Sequence, residues 1–588
     1  MMRTLFLAVA ALALTACGST LSVPVAAQGA NPETSRKALP ILQAQRSPLP
    51  VTNLSIDAFH RVMSRGEVSC RDIVQTYLDR IAAYDRQGPS LNSLISVNPA
   101  ALAQADELDR LYFSTGRMQG PLHCVPVAVK DNIDTVEMPT TLGSLALRNN
   151  QPTADAFIIT RIREVGGVIL AKANLDEFAF GYGGRSALGG QVRNAYILNH
   201  SPGGSSSGSG AAVAAGLAMV GLGTDTGGSV RVPSAVQGLY GLRPTLRLVS
   251  QNGVAPLAHS QDTAGPMCRQ VQDCAVLLDA MVGHDADPDS GQRLAKAFDA
   301  PLTADADQYL TMIGGRSAYA RNLDPGALSG ARIGVVRDLF PAADENNQFF
   351  LDALEQAIRR MAQSGAVIED VSIDDLDGVV GQKDVDIPGN PGRFASLSAY
   401  EFASDLTRYL NRWSSDADHH PRSAQAVAEA MESHMEEAPV LRAFKAYLSN
   451  DALAQDVTTE SYRNYHRNLV SRDGYVIPRV TAALDNIDFI TGGSRGARYD
   501  VLIYPVLQGL NGEAVKAGGG NRLSAFTGFP ALAFPVGFAK NPTDSSLDQP
   551  VALEMLGRPF SESRLLSLAF SWQQVVGAME PPAATPEL

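Results

Sequence analysis

A segment rich in glycine and serine, SPGGSSSGSGAAVAAGLAMVGLGTDTGGSVRVPSA, occupies residues 201–235 and constrains the fold more than any other part of the chain. Apolar runs adjoin both of its glycine-rich pieces, which argues against a flexible linker, because linkers are polar and solvated. Glycines between buried elements instead indicate close packing of backbone. The segment therefore predicts two tight loops that meet, with serines in both.

The first loop contains GSSSG at residues 204–208, which matches the nucleophile elbow G-x-S-x-G with Ser206 at its centre. That motif requires a strand leading into the turn. The preceding residues, ILNHSPGG, are a poor strand, so the match is weak. A phosphate-binding loop is also disfavoured, because no Gly-Lys-Ser/Thr follows the glycines.

The second loop, GTDTGGSVR at residues 223–231, offers a clearer catalytic arrangement. Consecutive backbone amides in such a turn can form a concavity that binds an oxyanion, with Ser229 at its edge. The amides expected to do so belong to Thr226, Gly227, Gly228 and Ser229. Asp225 and Arg231 flank the turn and can pair to hold it rigid. A plain glycine turn capped by Ser229 remains an alternative on spacing alone.

A serine nucleophile needs a group that removes its proton. The chain has nine histidines, and none lies inside these two loops. Lys130 ends the apolar run VPVAV and is followed by DNIDT, so it is a candidate base if burial keeps it neutral. A solvated lysine at the end of a strand is the alternative interpretation.

Apolar runs alternate with helical patterns along the chain, which is typical of an α/β fold with a sheet between helices. Ser55 and Ser69 are candidate N-caps of two amphipathic helices. Further helices are predicted at residues 153–165 and 208–217. Strands are predicted at residues 125–130, 166–172, 218–225, 331–338, 366–373, 500–506 and 530–538.

The N-terminus has the pattern of an export signal, with one early arginine and an apolar run at residues 5–14. We expect a lipoprotein signal peptide at residues 1–16 and lipidation of Cys17, which would anchor the protein to a membrane facing the periplasm. Cleavage near residues 25–28, with soluble release, is the alternative. Residues 17–50 suit a flexible tether.

Residues 51–580 contain no clear internal linker and are expected to form one domain. Its less patterned part, about 374–495, is expected to add helices over one face. The formal net charge of −13 argues against a nucleic-acid partner, because phosphate recognition needs a basic surface. No metal site is expected.

The other cysteines, Cys70, Cys124, Cys268 and Cys274, are few and scattered. Cys268 and Cys274 fall in a segment that reads as one helix, at a spacing that does not place them face to face. We expect all four to be buried as small hydrophobes, with pairing of Cys268 and Cys274 left open.

The motifs GPLHCVPVAVKDNIDT and the loop pair of residues 201–235 resemble those of the amidase signature family. The resemblance runs over about residues 54–270 and returns in NRLSAFTGFPALAFPVGF and LEMLGRPFSESRLLSLAFSWQQ. It implies an α/β/α sandwich around a large mixed sheet and a hydrolase without metal or organic cofactor.

The resemblance also assigns a serine–serine–lysine triad. Lys130 matches the family's base, Ser205 its bridging serine in a cis peptide bond, and Ser229 its acyl-forming nucleophile. Ser206 is expected to support Lys130. The sequence departs from the family at Cys124, where glycine is common, and at Ser207; neither is a triad position.

The expected function is that of an exported amidase, which hydrolyses a small-molecule or peptide amide through an acyl-enzyme on Ser229. An esterase and a non-catalytic binding lipoprotein are the alternatives. The family's amidotransferase subunit is disfavoured, because an export signal would separate the chain from transfer RNA. Residues 177–184 and 374–495 are expected to wall the acyl pocket.

Overall fold

The computed structural model describes residues 49–287, 290–292, 306–312, 315, 318–344, 347–412, 420–433, 438–540 and 548–588. From Leu49 onward the described residues belong to one compact unit. The predicted signal peptide, Cys17 and nearly all of the tether lie outside the described residues. None of the described helices has both the length and the apolar character that crossing a bilayer requires.

One mixed sheet organises the fold. The strands are Leu94–Val97 (β1), Pro126–Lys130 (β2), Val168–Ala173 (β3), Arg185–Ser186 (β4), Gly190–Gln191 (β5), Val220–Asp225 (β6), Tyr240–Arg243 (β7), Thr263–Cys268 (β8), Arg332–Val335 (β9), Val367–Asp370 (β10), Val501–Pro505 (β11), Ala531–Ala539 (β12) and Gln549–Leu556 (β13). Eleven of them form a single sheet in the order β1-β3-β2-β6-β8-β7-β12-β13-β11-β9-β10, and β4 pairs with β5. Strand β2 runs parallel to β3 and β6, and β9 runs parallel to β10 and β11, whereas the other neighbours are antiparallel.

Helices connect and cover the strands. They are Ile56–Ser64 (α1), Cys70–Tyr84 (α2), Ala101–Thr115 (α3), Phe157–Glu164 (α4), Ser207–Ala214 (α5), Arg231–Val236 (α6), Val271–Met281 (α7), Ala306–Met312 (α8), Ala318–Arg321 (α9), Gln348–Gln363 (α10), Leu376–Val379 (α11), Ser398–Leu410 (α12), Ala424–Glu432 (α13), Pro439–Ala454 (α14), Glu460–His466 (α15), Arg472–Leu484 (α16), Asn521–Thr527 (α17) and Glu562–Val576 (α18). The predicted N-caps are confirmed: the Ser55 and Ser69 side chains accept from the amides of Ala58 and Asp72.

Alternate residues of strand β11 pack into two different cores. Val501 and Ile503 belong to a core that also contains apolar residues of α10 and α18. Leu502 and Tyr504 belong to another, which contains residues of α16 and α17. Because successive side chains of a strand point to opposite faces, helices cover both faces of the sheet. The predicted α/β/α sandwich around a large mixed sheet is confirmed.

Every predicted strand and helix overlaps an observed element of the same type, with ends that differ by a few residues. Strands β1, β4, β5, β7, β8 and β13 were not predicted. Strand β8, TAGPMC, carries Gly265 and Pro266, which usually argue against a central strand. Strand β7 has only four residues, too few for a periodic pattern to show.

The four cysteines are buried, as expected, but they are bonded in pairs, including the pair of Cys268 and Cys274 that the sequence left open. Cys70 is paired with Cys124, with Cα atoms 5.1 Å apart, and Cys268 with Cys274, with Cα atoms 5.6 Å apart. Cys268 ends β8 and Cys274 lies in the first turns of α7, so the segment is not one helix. The turn between strand and helix brings the two sulfurs together.

Candidate active site

The two glycine-rich loops of residues 201–235 lie against each other. The amide of Ser206 in the first loop donates to the Ser229 carbonyl of the second, at 3.2 Å. The peptide bond between Gly204 and Ser205 is cis, and the Ser205 carbonyl accepts from the Asp176 amide at 3.2 Å. Ser205 is fully buried, whereas Ser229 retains 5% exposure, so only Ser229 can be reached from outside.

Lys130 ends strand β2 and lies wholly inside the protein. Its Nζ donates to Ser205 Oγ and to Thr224 Oγ1, each at 2.8 Å. Desolvation lowers the pKa of Lys130 to about 7, against the opposing charges of Asp176, Asp262 and Asp225. Near neutral pH a large fraction of the lysine is therefore uncharged and able to accept the Ser205 proton.

Among the described residues, no hydrogen bond joins the Ser205 and Ser229 hydroxyls. Of the two contacts that a proton relay needs, the one between Lys130 and Ser205 is therefore formed, and the one between Ser205 and Ser229 is not. Catalytic hydrogen bonds are often long without substrate and tighten in the complex, so this geometry is compatible with a relay.

The turn at residues 226–229 presents three free backbone amides. In the described part of the chain, the amides of Thr226, Gly227 and Ser229 have no acceptor. The Gly228 amide differs from the expectation, because it donates to Asp225 Oδ1 at 2.8 Å and cannot bind an oxyanion. Gly228 has a φ of 132°, so its contribution is to let the turn form.

A buried ionic network holds that turn in place. Arg231 donates from Nε to Asp225 Oδ2 and from Nη2 to Oδ1, both at 3.1 Å, and a third bond runs from Nη1 to Glu554. Arg243 Nη1 lies 3.2 Å from Asp225 Oδ1. Burial alone would raise the pKa of Asp225, but the two arginines hold it well below its usual range. The carboxylate therefore stays ionised and fixes the turn.

Ser206 supports the site through a neighbouring strand and not through Lys130 itself. Its Oγ donates to the Thr224 carbonyl and accepts from the Thr224 amide, both at 3.2 Å. Thr224 then contacts the lysine. Thr224 was not predicted as a site residue. Strands were predicted at residues 125–130 and 218–225, but not that they are adjacent and parallel, which brings their ends together.

Asp176 is a second site residue that the sequence analysis missed. Its Oδ1 accepts from the amides of Gly183 and Gly184 at 2.8 and 2.9 Å, whereas Oδ2 has no hydrogen-bond partner in the described structure. A Cβ at Gly204 would collide with Oδ2, so the carboxyl packs against the cis peptide. Burial raises the pKa of Asp176 to about 6.

Ser229 opens into a cavity of about 400 Å³. Its walls include four aromatic side chains, Phe180, Tyr182, Tyr447 and Phe526. Both segments predicted to line the pocket contribute, since Phe180 and Tyr182 come from residues 177–184 and Tyr447 from residues 374–495. The cavity is large enough to enclose a small molecule that has an apolar group.

Three side chains that could together approach a metal ion lie elsewhere, at Cys70, His123 and Cys124. His123 Nε2 is 3.7 Å from Cys70 Sγ. The two sulfurs are bonded to each other, so they cannot serve as thiolate ligands while the disulfide is intact.

Comparisons with known proteins agree with this geometry. A family model described as Amidase matches residues 72–566. A glutamyl-tRNA(Gln) amidotransferase subunit of Symbiobacterium thermophilum is 32% identical over 552 residues, which cover 91% of this chain and 99% of that protein.

Solved structures show the same relationship. The peptide amidase of Stenotrophomonas maltophilia superimposes with a TM-score of 0.71 at 32% identity, covering 91% of this chain and 99% of that one. The corresponding glutamyl-tRNA(Gln) amidotransferase subunit of Thermotoga maritima, with 23% identity and a TM-score of 0.61, shares the fold. The chain therefore belongs to the amidase family and is an amidase.

Proposed function

We propose that the enzyme hydrolyses amides through an acyl-enzyme on Ser229. The observation that carries the proposal is the buried Lys130, with a pKa lowered to about 7, hydrogen-bonded at 2.8 Å to Ser205 beside the nucleophile loop. A lysine that is neutral near physiological pH can act as a general base, which a solvated lysine cannot.

The proton moves in two steps. Neutral Lys130 accepts the Ser205 proton, Ser205 accepts the Ser229 proton, and Ser229 Oγ bonds to the amide carbon. The carbon–nitrogen bond then breaks, and the proton returns along the same path to the departing amine or ammonia. Water attacks the ester on Ser229 and releases the carboxylic acid, which restores the enzyme.

The negative charge on the reacting oxygen needs donors that are already in place. The free amides of Thr226, Gly227 and Ser229 supply them in this proposal, and the ionic network of Asp225 and Arg231 keeps them aligned. Because the donors are backbone groups of a fixed turn, little reorganisation is needed during the reaction.

The test is a panel of aliphatic, aromatic and peptidyl amides with matched esters, incubated with purified protein while ammonia, amine or alcohol is measured. We expect amide turnover together with labelling of Ser229 by a fluorophosphonate. Turnover of the esters alone would favour an esterase. A folded protein without turnover or label would favour the non-catalytic binding lipoprotein.

We also propose that the enzyme is exported and anchored through Cys17. Support comes from the apolar N-terminal run before that cysteine and from the two cysteine pairs, since disulfides persist in oxidising compartments. Fractionation of cells that express the full chain tests this: the native protein should be in the membrane fraction and Cys17→Ser should not. Equal distribution of both would contradict lipid anchoring.

A glutamine-dependent amidotransferase subunit is a second candidate, favoured by the name of the relatives that cover 91% of the chain. The net charge of −13 and the export pattern weigh against a partner that is transfer RNA. If glutamine were the preferred substrate and the protein remained in the cytoplasm, this candidate would replace the exported amidase.

A further inference from the structure

The cavity at Ser229 contains an unpaired positive charge. Of the described residues that line it, Arg522 alone carries a formal charge. Arg522 is solvent-exposed and follows Asn521, the first residue of α17. It differs from the buried Arg231 and Arg243, which both contact Asp225.

The guanidinium of Arg522 is held by neutral groups only. Its Nη1 donates to the carbonyl oxygens of Val380 and Gly381, at 2.8 and 3.3 Å. Within the described ranges, no carboxylate lies at ion-pair distance, and neither Nε nor Nη2 has an acceptor. The side chain is thus oriented by the backbone, while one edge of its planar fork is open to a ligand.

A second arginine, Arg472, lies next to the cavity on the same side as Phe526. Arg472 stacks over the ring of Phe526, another wall residue, with its Cζ 4.0 Å from the ring centroid. Burial lowers the pKa of Arg472 to about 9, and Arg522 adds to the lowering while Glu401 and Asp473 oppose it. The hydrogen bonds of Arg472 go to neutral oxygens, including the side chain of Gln261 at 3.4 Å.

The acidic side chains near the nucleophile do not line the cavity. Asp225, Asp262 and Asp176 are buried and contribute charge to the surroundings of Lys130. Asp225 is paired with the two buried arginines, so among the described lining residues Arg522 is the charge that a substrate anion meets in the cavity. Attraction to Arg522 would give a bound anionic substrate one orientation.

Arg522 is also close to the reacting group. Its neighbour Asn521 has a Cβ 3.4 Å from where a Cβ of Gly228 would lie, and the Asn521 carbonyl accepts from Arg231 at 3.0 Å. Helix α17 thus packs directly on the nucleophile turn. An anchor at Arg522 and a scissile carbonyl at Ser229 can belong to the same small molecule.

We propose that Arg522 binds a carboxylate of the substrate, and that the preferred substrates are amides that carry both a free carboxylate and an apolar group. The arginine fork matches a carboxylate in a two-point arrangement, and the aromatic walls take the apolar part. This inference rests on the proposed function, because it names the substrate class of the same site.

The experiment compares two substrates that share one reacting amide: an aryl monoamide of a short dicarboxylic acid, and its methyl ester at the far carboxyl. For the native enzyme we expect kcat/KM to favour the acid by about 10–100-fold, the range of a charge-assisted hydrogen bond. In Arg522→Gln that ratio should fall to about 3-fold or less, and Arg522→Lys should keep part of it.

Arg71→Gln is the matched control, since Arg71 is a partly exposed arginine of helix α2 that forms an ion pair with Asp106. The ratio should be unchanged in it. A native enzyme that treats both substrates alike, or an Arg522→Gln enzyme that keeps the preference, would overturn the inference.

Binding to the Ser229→Ala protein, measured by calorimetry, separates this inference from the proposed function. If the acid binds more tightly than the ester and Arg522→Gln removes the difference, the carboxylate site stands even without turnover. If both substrates turn over at equal rates, only the carboxylate site fails. If neither turns over and Ser229 is not labelled, the catalytic proposal fails.

Discussion

The catalytic loops and the helical segment at residues 374–495 meet at one cavity but are built in opposite ways. Residues 201–250 are buried almost without interruption, and the Asp225 carboxylate there is bonded to the Gly228 amide and to Arg231 within the same core. The helical segment has many exposed positions and contributes to the cavity mainly through single side chains such as Tyr447 and Ser396. The catalytic residues are thus held in the core, whereas the helical segment supplies side chains that can select the substrate.

The largest effect should come from the nucleophile. We expect Ser229→Ala to lower kcat/KM by about 10⁴-fold or more, because the acyl-enzyme cannot form. Ser207→Ala is the matched control, since Ser207 is a buried serine of the first glycine-rich loop, at the start of α5, whose Oγ has no partner in the described structure. Its kcat/KM should stay within about 2-fold, because no needed hydrogen bond is lost. Equal losses of kcat/KM in both variants would mean that the effect at Ser229 comes from disturbed packing and not from loss of the nucleophile.

Removal of the base should have the next largest effect. Lys130→Met should lower kcat/KM by about 10²–10⁴-fold, the usual contribution of a general base. In the native enzyme the rate should rise as the pH passes through about 7 and level off above it, because only uncharged Lys130 accepts a proton. The variant should lack this limb and recover partly at alkaline pH. A native profile that is flat between pH 6 and 8 would contradict the role of Lys130.

The next effect in size is on the free energy of unfolding, which should respond differently to loss of an ion pair in each region. Arg231→Met leaves Asp225 and Glu554 less compensated in the core, so we expect a loss of about 3–5 kcal/mol in the free energy of unfolding. Lys445→Met removes an exposed ion pair with Glu432 in the helical segment and should cost less than about 1 kcal/mol. Urea unfolding measures both. Similar losses in the two variants would mean that the ion pairs of the two regions contribute equally to the free energy of unfolding.

The smallest effect should come from the cavity wall. Tyr447 packs against Phe180 and Phe402 with ring centroids 4.9 and 6.0 Å away. We expect Tyr447→Leu to change KM by about 3–10-fold in a substrate-dependent way, with kcat close to native, because apolar contact area is lost without disturbing the triad. Steady-state kinetics on three amides of increasing size checks this. A uniform fall in kcat would place Tyr447 in the chemistry instead.

The same contrast explains how much the sequence could predict. The loops of Ser205 and Ser229 and the strand of Lys130 form long, ordered motifs, because backbone loops that pack closely tolerate few residue types. Their resemblance to the amidase signature family therefore assigned Lys130, Ser205 and Ser229, of which the structure joins Lys130 and Ser205 by a hydrogen bond. The layered fold was predicted from the alternation of apolar runs with helical patterns. The Gly228 amide was misassigned, because spacing does not reveal that Asp225 folds back to accept from it.

Other features depend on contacts between distant parts of the chain. Arg522 and Tyr447 reach the cavity from separate helices, and no local pattern marks either as a wall residue. The pairing of Cys70 with Cys124 spans 54 residues and depends on how helix α2 packs beside the loop before β2. Such juxtapositions follow from tertiary packing and not from periodicity.

The most direct test of the central claim is to trap the acyl-enzyme. The native protein is mixed with a slowly hydrolysed aryl amide, quenched in acid within one turnover and digested, and the peptide that spans the two loops is fragmented in a mass spectrometer. We predict one acyl group on Ser229, absent from the Ser229→Ala protein. An acyl group on Ser205 or Ser206, or turnover without any acylated peptide, would contradict the assignment of Ser229 as nucleophile.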